Sequence, residues 1–120
     1  MSKSYEKPQV LLIGGGMITE IQILPTLYHL QNIELIGEIS VVALNGPPLK
    51  KIAANQTLQK SFPGQSFVPF PDFNKVGDDE IFPDLYKDVL RDAPERSVAV
   101  VAVPDQLHFP IVKEALNCGH

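Results

Sequence analysis

Cysteine is nearly missing from this 120-residue chain. Cys118 stands alone, so no disulfide can close within it, which suits a reducing compartment without proving one. Positive charge is in deficit as well. Ten Lys and Arg stand against 14 Asp and Glu, a formal charge of −4, so there is no electrostatic reason to expect nucleic acid or an anionic membrane as partner. A dinucleotide remains open, because backbone dipoles can hold one without basic side chains. No stretch approaches the ~20 apolar residues that cross a bilayer. Glu6 and Pro8 interrupt an N-terminus with no apolar core of signal-peptide length. Internal repeats and low-complexity linkers are missing, and no spacing suggests a Ser-His-Asp or Cys-His pair. The default expectation is a soluble cytoplasmic protein with no membrane partner.

What is present is ordinary in bulk and patterned in detail. Apolar residues make up 44% and charged residues 20%, a globular composition, and the length fits one domain over residues 1–120. Val10-Leu11-Leu12-Ile13 is a short continuous apolar run ended by Gly14-Gly15-Gly16, as expected of a strand buried on both faces. From Met17 to Leu30 the spacing turns helical, with Ile18, Ile21, Leu24, Leu27 and Tyr28 in one stripe, and Pro25 should bend or loosen one turn. Ile36 to Leu44 reads as a second strand, stopped by Asn45-Gly46-Pro47-Pro48. Leu49 to Lys60 reads as a helix, with a proline able to take its first position. Ser66 to Phe70, flanked by prolines, reads as an edge strand. After a polar connection, Pro83 to Asp92 reads as a third helix. Val98 to Val103 is the clearest strand, Pro104 to His108 a loop, and Pro110 to Asn117 a fourth helix capped by Gly119.

This alternation predicts an α/β fold: a Rossmann-like, doubly wound parallel sheet in three α/β/α layers, incomplete at its C-terminal end. Such sheets bind ligands at the carboxyl ends of their strands. Three segments fall there: Gly14 to Thr19, Asn45 to Pro48, and Pro104 to His108. In the first, Gly14-Gly15-Gly16-Met17-Ile18-Thr19 follows a strand and opens a helix, the setting required of the dinucleotide fingerprint G-x-G-x-x-G. Gly14 would permit the tight turn, Gly16 would admit a pyrophosphate, and the helix start near Met17 would aim free N–H groups at it. Thr19 stands where glycine or alanine normally allows close helix–strand packing. The alternative is a glycine turn that binds nothing. In the second segment, Asn45 takes the place of the acidic residue that bonds the ribose hydroxyls of NAD. Lys50 and Lys51 could serve the extra phosphate of NADP, or could simply form a solvated face, so either cofactor fits.

The stretch Val101-Ala102-Val103-Pro104-Asp105-Gln106-Leu107-His108, followed by Ala115-Leu116-Asn117-Cys118-Gly119-His120, resembles the Gfo/Idh/MocA family of oxidoreductases. The likeness includes the glycine turn with Ile18 and the proline in the first helix, and it is weak from Gln56 to Glu95. The resemblance implies an NAD(P)-binding domain in which Gly14, Gly16 and Ile18, with Met17 between them, lie along the pyrophosphate. It implies that Asn45 faces the adenosine ribose, and that Pro104, Asp105 and His108 border the nicotinamide. It implies hydride transfer to or from a sugar, polyol or related hydroxyl compound as small-molecule substrate. Family members continue into a Glu-Lys-Pro strand, whose lysine lies in the active site, and then a substrate domain. Neither is in these residues, so the expectation is a fragment that binds cofactor and has no catalytic residue of its own. The last strand would then expose an apolar edge able to pair with another chain, in a possible homo-oligomer. A rival reading is a non-catalytic nucleotide-sensing or protein-interaction module on the same fold.

Other residues carry weaker signals. Asp105 could be a turn or helix-entry residue and His108 a capping or packing one. Asp72, Asp78, Asp79, Glu80 and Asp84 read as a solvated acidic loop rather than a metal site. Cys118, near a helix C-terminus where the dipole disfavours a thiolate, is not expected to be a nucleophile. His29 reads as a surface or boundary residue.

Overall fold

A computed structural model of the chain describes residues 7–16, 19–94, 96–103 and 105–120, with residues 105–108 described by their backbone alone. Four strands alternate with helices. Strand β1 spans Val10–Ile13, and a π-helical turn over Thr19–Ile23 leads into α1, Leu24–Asn32. Then follow β2 (Ile39–Val42), α2 (Gly46–Ala53), α3 (Gln56–Ser61) and β3 (Val68–Phe70). Last come α4 (Leu85–Asp92), β4 (Val98–Val101) and α5 (Asp105–Asn117). All strand pairs are parallel, in the order β3-β2-β1-β4. The fold class is therefore α/β with an all-parallel sheet.

Burial explains why the apolar run of β1 does not alternate with polar residues. Val10 and Leu12 point into one cluster with Leu24, Tyr28, Ile39, Val41 and Leu49. Leu11 and Ile13 point the other way, onto Val42, Val89, Leu90, Ile111 and Ala115. Helices α1 to α3 thus cover one face of the sheet, and α4 and α5 the other. Each buried Leu or Ile removed from water contributes about 1.5–3 kcal/mol before the cost of ordering the chain.

Two expectations needed correction, while the loosened turn expected at Pro25 is present. Pro25, which has no N–H to donate, stands near the start of α1, and the turn before it is widened to π spacing. The expected helix Leu49 to Lys60 is two helices, because the Asn55 side chain accepts the Leu58 N–H at 3.0 Å and caps α3 afresh. Finally, the loop expected from Pro104 to His108 is largely helix. Asp105 opens α5, and Pro110 lies inside it, giving up one backbone bond rather than starting the element. Gly119 does cap α5. Its φ is +86°, and the His120 and Gly119 N–H groups return to Ala115 and Leu116 at 3.0 and 3.1 Å, the paired bonds of a Schellman motif.

β3 and β4 are the two ends of the sheet, and Val98 on β4 is 44% exposed. No helix among the described residues is long and apolar enough to cross a membrane.

Tyr28 provides a readout of the core. Its buried ring lies 5.4 Å from that of Phe62, and burial pushes its phenol up to about 12 from 10.0. The folded state therefore holds this proton more tightly than the unfolded chain does. The resulting stability is fully present below pH 10 and is lost as the pH rises through 12. A rise of that size corresponds to roughly 3 kcal/mol. Urea midpoints should fall steeply above pH 10 in the wild type and distinctly less in Tyr28→Phe; identical slopes would remove Tyr28 as the cause.

Candidate functional site

The chain steps from β1 to β2 to β3 in one direction, and then β4 lands on the opposite side of β1. The segment leaving β1 runs to a helix on one face and the segment leaving β4 to a helix on the other. A crevice therefore opens between the two carboxyl ends. A cleft of about 600 Å³ lies there, within the range of small-molecule sites. Its walls are Gly14, Gly15 and Gly16 after β1, Val42 to Asn45 at the end of β2, and Ala102 and Val103 after β4. Ile13, Pro48, Phe82, Pro83, Asp84, Tyr86, Pro110 and Ile111 complete the lining.

The glycine turn divides into a structural part and an open part. Gly14 is structural. Its N–H donates to the Val42 carbonyl at 2.7 Å, its φ is +129°, and a Cβ there would lie 2.0 Å from the Ala102 oxygen. Gly15 and Gly16 are different: among the described residues, neither N–H meets an acceptor. Gly16 is exposed, and a Cβ built on it would meet nothing within 4 Å. Its carbonyl accepts the Glu20 N–H at 3.2 Å, which ties the glycine turn to the helical turn over Thr19–Ile23.

Thr19 turns out to fit rather than to crowd. It is 1% exposed, and its hydroxyl donates to the buried Gly14 carbonyl at 2.7 Å, pinning the turn to the helix entry. Thr19→Val keeps the shape and removes the donor. It should cost about 1–3 kcal/mol in urea denaturation, the penalty of an orphaned buried carbonyl, and Thr19→Ser should recover most of it. A neutral Val variant would show that the bond contributes nothing net.

Asn45 also lines the cleft. It occupies the N-cap position of α2 in extended conformation, yet its side chain makes no capping bond, leaving the amide able to donate and accept. Lys50 and Lys51 do not line the cleft. Lys50 pairs with Asp78 at 3.2 Å and Lys51 approaches Glu20 at 3.9 Å. Of the remaining predicted site residues, Met17, Ile18 and Pro104 lie outside the described residues. The backbones of Asp105 and His108 belong to the first turns of α5, and their side chains lie outside the described residues.

The acidic segment is dispersed among local roles. Asp72 accepts the Asn74 N–H at 3.0 Å, and Glu80 accepts that of Gly77 at 2.6 Å. Asp84 pairs with Lys87 at 3.6 Å. Among the described residues no His, Cys, Asp or Glu group of three could hold a metal. Burial raises the Cys118 thiol, and the Glu114 carboxylate 3.7 Å from its sulfur raises it further.

Sequence reading missed Gly15, Phe82, Pro83 and Tyr86. Gly15 was legible as part of the glycine run. The other three carry no motif; an aromatic-proline pair between an acidic stretch and a helix is the sole trace of a wall.

No protein-family model, curated protein or solved structure matches the chain. Its class follows from the geometry alone: an α/β protein with a parallel sheet of order 3-2-1-4 and a glycine-lined cleft at the carboxyl edge.

Proposed function

We propose that this cleft binds NAD or NADP, and that the chain is the cofactor-binding domain of a Gfo/Idh/MocA-like oxidoreductase built on a Rossmann-like sheet. One observation carries the reading: among the described residues the N–H groups of Gly15 and Gly16 meet no acceptor, and the turn is open at Gly16. Such groups bind a diphosphate through backbone dipoles, without a basic side chain. Asn45 is suited to bond the ribose hydroxyls, and the largely apolar walls exclude water from whatever they hold. The cofactor would supply the hydride chemistry, with a sugar, polyol or related hydroxyl compound as partner.

The titratable side chains among the described residues of the lining are Asp84, which pairs with Lys87, and Tyr86. A nucleotide-sensing module would present the same cleft. Lys50 and Lys51 are both engaged with carboxylates, which favours NAD over NADP. Calorimetric titration of the protein with each dinucleotide tests the proposal. NAD should bind on the order of tenfold more tightly, a difference of about 1.4 kcal/mol. Absence of binding by either would overturn the reading.

A further inference from the structure

Phe82 is a half-buried aromatic residue that stands apart from the core. It lines the cleft, yet it belongs to neither of the two core clusters nor to the half-buried residues packed against them. Its position is nevertheless fixed. The Phe82 N–H donates to the Leu44 carbonyl at 2.7 Å, which lashes the segment before α4 to the end of β2, next to Asn45. Pro83 and Tyr86 continue the same wall. Tyr86 packs on the core, so it supports the wall from behind. The wall also lacks an uncommitted cation, because Lys87 pairs with Asp84.

We infer that Phe82, backed by Pro83, is the stacking platform for the planar base next to the ribose read by Asn45: the adenine of a dinucleotide. This rests on the cofactor reading above. With phosphates held at Gly15 and Gly16 and ribose at Asn45, the base attached to that ribose falls along the segment pinned to Leu44. An apolar aromatic surface without free charge selects a flat, weakly polar ring and offers nothing to a further phosphate. Phe82 is then a specificity-determining residue rather than part of the scaffold.

Saturation-transfer NMR with NAD, combined with calorimetry using 5′-AMP, tests this on wild type, Phe82→Ala and Phe82→Trp. In Phe82→Ala the adenine H2 and H8 signals should weaken while the nicotinamide protons keep theirs. Its affinity for 5′-AMP should fall about tenfold, and Phe82→Trp should retain it. The urea midpoint should fall only modestly, since the ring is half-buried and outside the two core clusters. Unchanged 5′-AMP affinity in Phe82→Ala, or an equal loss of adenine and nicotinamide signals, overturns the platform while NAD binding by wild type still supports the cofactor reading. If wild type binds neither NAD nor 5′-AMP, both fall.

Discussion

Replacing Gly14 by alanine should strongly destabilise the protein, although it adds a single methyl group. That methyl would sit 2.0 Å from the Ala102 oxygen and 2.8 Å from its carbonyl carbon. Both are backbone atoms and cannot rotate away. The chain there also runs at φ +129°, where side chains are strained. Relief would push the end of β1 from β4 and disturb the bond from the Ala102 N–H to the Ile13 carbonyl at 2.8 Å. Strain of about 1–3 kcal/mol and overpacking of about 1–3 kcal/mol act together. A loss of ~3–5 kcal/mol is a large part of the ~5–15 kcal/mol that holds a typical domain together. Urea unfolding followed by far-UV circular dichroism measures it. A loss below about 1 kcal/mol would mean that β1 and β4 do not approach so closely at Gly14.

The same contact shows what was legible in the residues and what was not. The strand at Val10–Ile13 could be read to the residue, because a four-residue apolar run ended by glycines has one economical use, a strand buried on both faces. The Gly119 cap was legible for a similar reason: glycine after a helical stripe supplies the left-handed turn. The α5 start was not. Pro110 looked like a first helical position, but a helix can lose one N–H bond if its packing face continues, and Ile111 and Ala115 do continue it. Nor was the split at Asn55 visible, since it depends on Asn55 reaching both Leu58, at 3.0 Å, and Glu20, at 2.8 Å and 35 residues distant in sequence. In the site, local chemistry was readable and assembly was not. The glycine turn declared itself by composition. The Phe82 wall exists because one N–H of a distant segment bonds to Leu44, and no local pattern encodes that.

Gly16→Val separates binding from folding more sharply than any other change. The glycines with positive φ among the described residues are Gly14, Gly64 and Gly119, so Gly16 does not depend on the left-handed region that side chains avoid. A Cβ there meets nothing within 4 Å, so no core contact is disturbed. The urea midpoint should shift by no more than about 0.5 kcal/mol, the usual range for an open surface site. The space that the methyls would enter is, on the cofactor reading, where a diphosphate must approach the Gly15 and Gly16 amides. Each charge-assisted bond is worth roughly 1.5–3 kcal/mol, so losing two should weaken NAD binding by about a hundredfold or more. Gly14→Ala and Gly16→Val therefore form a contrasting pair two residues apart: the first should lose much of the stability of the fold, and the second should keep the fold and lose the ligand. If Gly16→Val bound NAD like the wild type, the diphosphate could not be resting on this turn, whatever else the cleft holds.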